Sequence, residues 1–219
     1  ALTRFATFRP PHPLDINECP VLFKFNSLQG YQDDSVYSSD ISDRHNISQT
    51  AGKLKVAKHL VPPYGGFPNS GPSGKPLFVY PSAFPCSTTP AQIESHLKGI
   101  GVVKPAWRYT MYREHHFHST THEVLVVHSG SATLCFGGRE NPERVVHEAE
   151  KGDVLIIPAG MAHALLEDHG GFGMVGSYPV GAKQWDHCTG GERGVEDRIK
   201  RLKWFTRDPI YGDDGPVLG

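Results

Sequence analysis

Short apolar runs separated by turn residues make up most of the chain from residue 106 onward. Each run is only a few residues long, and turn signals such as Gly137-Gly138 and Pro158-Ala159-Gly160 lie between the runs. The strands that this pattern predicts are Trp107–Met111, Glu123–His128, Ala132–Phe136, Arg144–Glu148, Val154–Ile157, His163–Glu167 and Phe172–Tyr178. Strands of this length and spacing are typical of an antiparallel sandwich or barrel. We therefore predict an all-β fold.

Three further elements are predicted outside this series of strands. Leu77–Tyr80 is an apolar stretch that predicts one more strand. Thr89 is followed by a proline, a combination typical of an N-cap and a first helical residue, and it predicts a short helix over Pro90–Leu97 that ends at Gly99. Apolar residues at positions i, i+4 and i+7 predict a final helix over Val195–Leu202.

Residues 1–75 show no sustained periodicity of either a helix or a strand, and they contain several clusters of Pro, Gly, Asn and Ser. We interpret them as an irregular N-terminal arm that wraps the domain or is partly mobile. The predicted organisation is this arm, a β-barrel domain over residues 76–182, and a C-terminal extension over residues 183–219 whose short helix packs on the barrel.

The composition is that of an ordinary globular domain, and it argues against several classes of function. The chain has 219 residues, of which 38% are hydrophobic and 21% are charged, and its formal net charge is −1. A chain with balanced charge and no basic stripe is not expected to bind nucleic acid. No apolar run approaches the roughly 18 residues of a membrane span. The four cysteines are widely spaced and no apolar signal segment is visible, so we predict a cytoplasmic protein.

Histidine is the unusual residue in this composition, with 13 copies. His116 and His118 are two positions apart, so on a strand both imidazoles lie on one face. Glu123 opens the next strand, and an antiparallel neighbour can return its carboxylate to that face. A tight turn farther along the chain delivers His163 to the start of another strand. Three neutral imidazoles and one carboxylate form a ligand set for a divalent transition metal.

The spacing of these residues resembles the two sequence motifs of the cupin superfamily. The first motif reads His-x-His, three or four residues, Glu, six residues, Gly. This chain has His116, His118, Glu123 and Gly130 at those intervals. The first motif therefore matches in both order and spacing.

The second cupin motif runs from a glycine through Pro-x-Gly to a histidine and ends on an asparagine. Gly152, Pro158, Gly160 and His163 occupy the corresponding places, whereas Glu167 stands where the asparagine is usual. Together the two motifs imply a small antiparallel jelly-roll barrel with one metal ion inside it.

The metal ligands that the resemblance implies are His116, His118, Glu123 and His163. His122 competes with Glu123, because a three-residue spacer would place His122 at the fourth ligand position and give an all-histidine site. Glu123 is favoured because Gly130 then falls at its usual distance and the strand continues after it.

Two residues near these ligands are our candidate catalytic residues. Glu167 shares strand parity with His163, so it either points into the barrel or faces outward. Tyr112 shares parity with His116 and lines the cavity if the strand is unbroken, whereas one β-bulge would reverse its direction. A carboxyl or phenol group in the cavity could move protons to and from a substrate.

A closer resemblance extends over about residues 76–217. The chain looks like the YjlB-like small cupins of bacteria and fungi, a family without a settled activity. The segments that carry this resemblance are Trp107, residues 115–125, the second motif, Gly176–Pro179 and Asp208–Gly212. Residues 1–60 have no counterpart in that family.

Cupins include oxygenases, isomerases, lyases and storage or ligand-binding proteins, so the fold does not decide the function. Our leading hypothesis is a mononuclear metal-dependent dioxygenase or related oxidoreductase that acts on a small organic substrate beside Leu125, Phe136 and Leu165. We expect one divalent transition metal per chain, Fe(II) first, with Mn, Ni, Co, Cu or Zn as alternatives. The other hypotheses are a metal-dependent isomerase or lyase and a non-catalytic ligand-binding or storage protein. The resemblance also implies a homodimer.

Overall fold

The structure is a computed structural model that describes residues 55–219. In this part of the chain nine β-strands form two antiparallel sheets, which confirms the predicted all-β fold. The strands are β1 Ala57–His59, β2 Leu77–Tyr80, β3 Val103–Tyr109, β4 Glu123–Ser129, β5 Ser131–Phe136, β6 Val145–Glu150, β7 Val154–Ile157, β8 His163–Asp168 and β9 Gly173–Pro179. Most of the predicted N-terminal arm lies outside the described residues.

The two sheets face each other as in a jelly roll. The larger sheet has six strands in the order β1-β2-β7-β4-β9-β3, and the smaller has three in the order β6-β5-β8. One apolar cluster combines side chains of both sheets, with Leu125 and Leu155 from the larger sheet and Leu134 and Leu165 from the smaller one. This shared cluster, the inner core, holds the two sheets together by apolar burial.

The opposite face of the six-stranded sheet is covered by the first helix and the C-terminal segment. A second apolar cluster, the outer core, contains Val124 from β4, Ile93 from the helix and Phe205 from the C-terminal segment. Asp208 anchors that segment, because its buried carboxylate accepts a hydrogen bond from the Tyr80 hydroxyl at 2.6 Å.

The predicted helix after Thr89 is confirmed and is longer than expected. α1 spans Pro90–Ile100, with Thr89 as its N-cap in a capping box. The helix continues through Gly99 and ends at Gly101, whose φ of 74° is left-handed. Glycine reaches that conformation without a steric penalty, so the second glycine rather than the first ends the helix.

The second helix is shorter than the sequence predicts. α2 spans Val195–Lys200 rather than Val195–Leu202, and it buries Val195 and Ile199. A 3₁₀ turn over Pro216–Leu218 follows α2 near the end of the described residues. Within residues 55–219, no helix combines the length and the apolar character needed to cross a membrane.

Strand boundaries differ from the predictions mainly at sheet edges. β3 begins at Val103 instead of Trp107, and a bulge between Pro105 and Trp107 interrupts its pairing with β9. β1 lies within the arm that was expected to be irregular, and it pairs with β2. Three residues are too few to show a periodicity, so β1 leaves no signal in the sequence. The division of the chain at residues 75 and 182 stays a prediction.

Candidate metal centre

Three buried histidines, His116, His118 and His163, come together in the structure. One ligand nitrogen of each lies within 4.8 Å of the others, a spacing that a single metal ion could bridge. The backbone brings them together, because the N–H of His163 donates to the carbonyl of His116 at 2.9 Å and the reverse bond measures 3.3 Å. Residues that are distant in the sequence thereby share one site.

The segment that carries His116 and His118 is not a regular strand. Single bridges pair His116 with His163 and Phe117 with Cys188. Phe117 is fully buried in a small apolar cluster with Cys188, while the two flanking imidazoles join the histidine group. The side-chain alternation expected of an extended chain therefore holds here without a continuous ladder.

Glu123 opens β4 and adds a carboxylate to the histidines. Its Oε2 lies 3.6 Å from Nε2 of His118 and 3.5 Å from Nε2 of His163. Its Oε1 accepts a hydrogen bond from the Tyr178 hydroxyl at 2.8 Å, and Nε1–H of Trp107 donates to that same hydroxyl at 2.9 Å. Each oxygen of the buried carboxylate therefore faces a polar group.

Each of the three imidazoles contacts a backbone carbonyl through Nδ1. The pairs are His116 with Glu114 at 3.1 Å, His163 with Met161 at 3.0 Å, and His118 with Asp186. A carbonyl oxygen only accepts hydrogen bonds, so these contacts assign a proton to Nδ1, and in a neutral imidazole the lone pair is then on Nε2. Metal-binding histidines are commonly oriented by such a bond.

Burial sets the charge of His116 and His163, whereas the pairing of His118 with Glu123 outweighs burial for those two residues. Burial, together with the neighbouring imidazoles, lowers the pKa of His116 to about 2, and burial lowers the pKa of His163 to about 4. Burial also acts to lower the pKa of His118, but the Glu123 carboxylate outweighs it and the net shift is upward. The same pairing lowers the pKa of Glu123 against the effect of its burial. Two neutral imidazoles, those of His116 and His163, together with His118 paired to the Glu123 carboxylate, form a donor set that fits a divalent transition metal.

A cavity of about 280 Å³ borders the four side chains. Its remaining wall is mostly apolar and aromatic, with Trp107, Tyr112, Leu125, Tyr178 and Trp185 among its members. Ligand sites usually measure about 300–1,000 Å³, so this cavity suits a small molecule.

The loop between β9 and α2 packs against the histidine segment. The His187 ring stacks on the His116 ring, with centroids 4.4 Å apart. The Asp186 carboxylate accepts hydrogen bonds from the backbone N–H and the hydroxyl of Ser119 at 2.7 and 2.5 Å. Burial acts to raise the pKa of Asp186, but these hydrogen bonds outweigh it and lower the pKa to about 2. A carboxylate held in this way fixes the loop beside His118.

Comparison with known proteins identifies the family. The profile of the cupin family matches residues 99–169. The chain is also 34% identical over 116 residues to the uncharacterized protein YjlB of Bacillus subtilis (strain 168), an alignment that spans 52% of this chain and 68% of YjlB. This chain belongs to the cupin family. It lies close to the YjlB-like cupins, and the resemblance noted in the sequence is confirmed.

Solved structures similar to this cupin include two plant proteins and one bacterial enzyme. Vicilin from Corylus avellana (hazelnut) is 16% identical with a TM-score of 0.32, over 51% of this chain and 30% of vicilin. The 7S globulin of Momordica charantia is 18% identical with a TM-score of 0.30, over 51% and 32%. A mutant of Bacillus subtilis oxalate decarboxylase OxdC is 20% identical with a TM-score of 0.28, over 47% and 24%. The cupin thus spans about a third or less of each of these chains.

The two competitors for the fourth ligand position point in opposite directions. The His122 ring packs against Trp204 and Phe205 in the outer core, at centroid distances of 4.8 and 5.7 Å. Its Nδ1 accepts a hydrogen bond from the N–H of Ala159 at 2.9 Å. Glu123, the next residue, contacts the histidine group instead.

The structure also separates the two candidate catalytic residues. Tyr112 lines the cavity, with its ring 5.4 Å from that of His116 and 49% of the residue exposed. Glu167 is exposed and does not line the cavity. The pairing of β5 with β8 shifts register between Thr133 and Leu134. This bulge reverses the side-chain parity of β8 after Leu165, so Glu167 faces outward, and of the two directions that the sequence left open the inward one, on which its candidate catalytic role depended, is wrong.

The apolar residues expected beside the substrate divide in the same way. Leu125 lines the cavity, whereas Phe136 and Leu165 are buried in the inner core and do not border it. Tyr178 and Asp186 both contact the histidine group, and neither was among the site residues predicted from the sequence. Tyr178 lies in the Gly176–Pro179 stretch that supported the family resemblance, whereas no motif or periodicity marks Asp186.

Proposed function

We propose that this cupin is a mononuclear metal-dependent oxidoreductase of the dioxygenase type. In this proposal His116, His118, Glu123 and His163 hold one divalent transition metal. The observation that supports it is the position of the four side chains, which lie together at the wall of a cavity large enough for a small molecule. A metal held there is reached from the cavity side, and reactive metal sites differ from structural ones in keeping such a position open.

A redox-active metal such as Fe(II) or Mn(II) would supply activation of O₂ beside a bound organic substrate. The protein would contribute three things of its own. The imidazoles of His116 and His163 are neutral at neutral pH and so present lone pairs. The Glu123 carboxylate would offset part of the charge of the cation. The aromatic wall would exclude water and hold the apolar body of the substrate.

Tyr112 is our candidate for a residue that contacts the substrate directly. Its ring lies beside His116 and also faces the exposed His187, at a centroid distance of 5.8 Å. Because Tyr112 is half-exposed while lining the cavity, its hydroxyl could exchange protons with both solvent and substrate. This phenol also favours a second candidate function, a metal-dependent isomerase or lyase, in which proton transfer rather than O₂ chemistry is the essential step.

The first experiment is elemental analysis of protein purified without added metal or chelator. We expect close to one equivalent of a divalent transition metal in the wild type and almost none in the His116→Ala variant. His169→Ala is the matched control, because His169 is exposed and pairs with Glu148 away from the histidine group. A wild type that holds no metal and takes up neither Fe(II) nor Mn(II) would remove both enzyme proposals and leave a non-catalytic binding protein.

The second experiment separates the two enzyme classes. The metal-loaded protein is screened with an oxygen electrode against small aromatic and oxygenated organic compounds that fit the cavity. Substrate-dependent O₂ consumption that disappears in Glu123→Ala and His163→Ala supports the oxidoreductase. Conversion of a substrate without O₂ consumption supports the isomerase or lyase instead.

A further inference from the structure

We infer that Tyr178 is a positioning residue for Glu123, an inference that rests on the proposed metal site. It occupies Oε1 of the carboxylate and so leaves Oε2 as the oxygen that faces the imidazoles. Two hydrogen bonds in series support this role, from Trp107 Nε1–H to the Tyr178 hydroxyl at 2.9 Å and from that hydroxyl to Glu123 Oε1 at 2.8 Å.

The direction of both hydrogen bonds follows from the groups involved. An indole N–H only donates, and an ionised carboxylate only accepts. The Tyr178 oxygen therefore accepts from Trp107, and its own proton is directed at Glu123. Oε1 is satisfied by this bond, whereas Oε2 lies 3.6 and 3.5 Å from Nε2 of His118 and His163. The two carboxylate oxygens of Glu123 thus have different partners, the Tyr178 hydroxyl for Oε1 and the imidazoles for Oε2.

The sequence builds this arrangement on three neighbouring strands, β4, β9 and β3. β9 pairs with β4, with Ser177 opposite Val124, so Tyr178 lies beside the start of β4. Trp107 comes from β3 on the other side of β9, where Gly176 is its partner. A Cβ at Gly176 would lie 2.0 Å from Cε2 of Trp107, so only glycine lets the indole lie against the strand. The Gly176–Pro179 stretch therefore has a specific purpose, which is to bring Trp107 and Tyr178 together.

The arrangement is also rigid. The Tyr178 ring stacks against Trp185 at a centroid distance of 6.4 Å and an interplanar angle of 20°. The Tyr178 ring lies 6.2 Å from the His118 ring. A donor held by packing on this wall presents its proton at a fixed place, and outer partners of this kind orient metal ligands.

The test compares metal binding by Tyr178→Phe, Trp107→Phe and the double variant with that of the wild type. Mn(II) and Co(II) are titrated separately into metal-free protein by calorimetry, and the visible spectrum of the Co(II) form is recorded. Tyr211→Phe is the matched control, because it removes a buried tyrosine hydroxyl that has no hydrogen-bond partner in the described part of the chain.

We expect Tyr178→Phe to weaken metal binding about 10–100-fold, the usual effect of losing an outer partner, and to change the Co(II) spectrum. Trp107→Phe should have a smaller effect that nearly vanishes in the Tyr178→Phe background, because it acts through the tyrosine hydroxyl. Tyr211→Phe should bind metal like the wild type.

Wild-type affinity and an unchanged Co(II) spectrum in folded Tyr178→Phe would overturn this inference and leave the metal site intact. If Tyr178→Phe does not fold, Trp107→Phe decides, and an unchanged spectrum in that variant is then the contrary result. A wild type that binds neither Mn(II) nor Co(II) would instead overturn the proposed function, and this inference with it.

Discussion

The two faces of the six-stranded sheet bury titratable side chains by different means, and β4 contributes to both faces. Glu123 and Leu125 point to the inner side, where the cavity and the histidine group lie. Val124 and Val126 point to the outer core, which α1 and the C-terminal segment cover. The boundary between the two environments thus runs through a single strand, between one residue and the next.

His122 and Glu123 show what this difference means physically. On the outer side the imidazole is surrounded by aromatic rings, and burial lowers the pKa of His122 to about 4, so it remains neutral. On the inner side Glu123 remains charged, because Tyr178 donates to one oxygen and imidazoles face the other. A buried titratable group either becomes neutral or is paired with groups that stabilise its charge. Here His122 is neutral, and its neighbour Glu123 is charged and paired.

Substituting Glu123 and His122 one at a time tests this difference most directly. We expect Glu123→Gln to lower metal affinity by more than about 100-fold, because loss of a ligand should exceed the roughly 10–100-fold effect of losing an outer partner. His122→Ala should leave metal content unchanged. Elemental analysis and calorimetric titration of both variants measure the difference. Retention of metal by Glu123→Gln together with its loss from His122→Ala would exchange the roles of the two residues.

A second prediction separates stability from metal binding. Val126 is fully buried in the outer core. Removing two methyl groups from such a site should lower the free energy of unfolding by about 2 kcal/mol, from lost apolar burial and the cavity that remains. Urea denaturation of metal-free Val126→Ala measures this loss, and metal titration of the folded variant should match the wild type. A tenfold loss of metal affinity would show that the two layers are coupled.

The smallest expected effect concerns pH. The pKa of His122 is lowered from 6.5 to about 4, so between these values the unfolded chain binds a proton that the folded chain does not. Stability is therefore lost as pH falls from about 6.5 towards 4, by roughly 2 kcal/mol between pH 7 and pH 5 for this residue alone. His122→Asn keeps an acceptor for the Ala159 N–H and does not titrate.

Metal-free wild type and His122→Asn are compared by urea denaturation at pH 7 and pH 5. We expect the stability of the variant to fall less than that of the wild type over this interval, by about 1–2 kcal/mol. Exposed His169, replaced in the same way, is the control. Equal losses in the wild type and His122→Asn would mean that His122 is protonated in the folded protein.

Local patterns predicted most of the elements. β2 and β7 were predicted with the boundaries observed, and the start of α1 followed from Thr89 and the proline after it. These features depend on neighbours within a few residues, where composition and turn chemistry act directly. β1 could not be predicted, because it exists only through its pairing with β2. The direction of Glu167 could not be decided from the sequence, because a single bulge reverses the strand parity that would have pointed it inward.

The sequence by itself determined the family, the all-β class and the residues that supply the histidine group, because motif spacing and strand alternation are local properties of the chain. The tertiary structure alone decided which partners surround that group. Tyr178 reaches Glu123 only because β9 pairs with β4, and Asp186 reaches His118 only because the loop after β9 folds back over the histidine segment. Such contacts depend on strand register and on long-range packing, so no short-range sequence pattern predicts them.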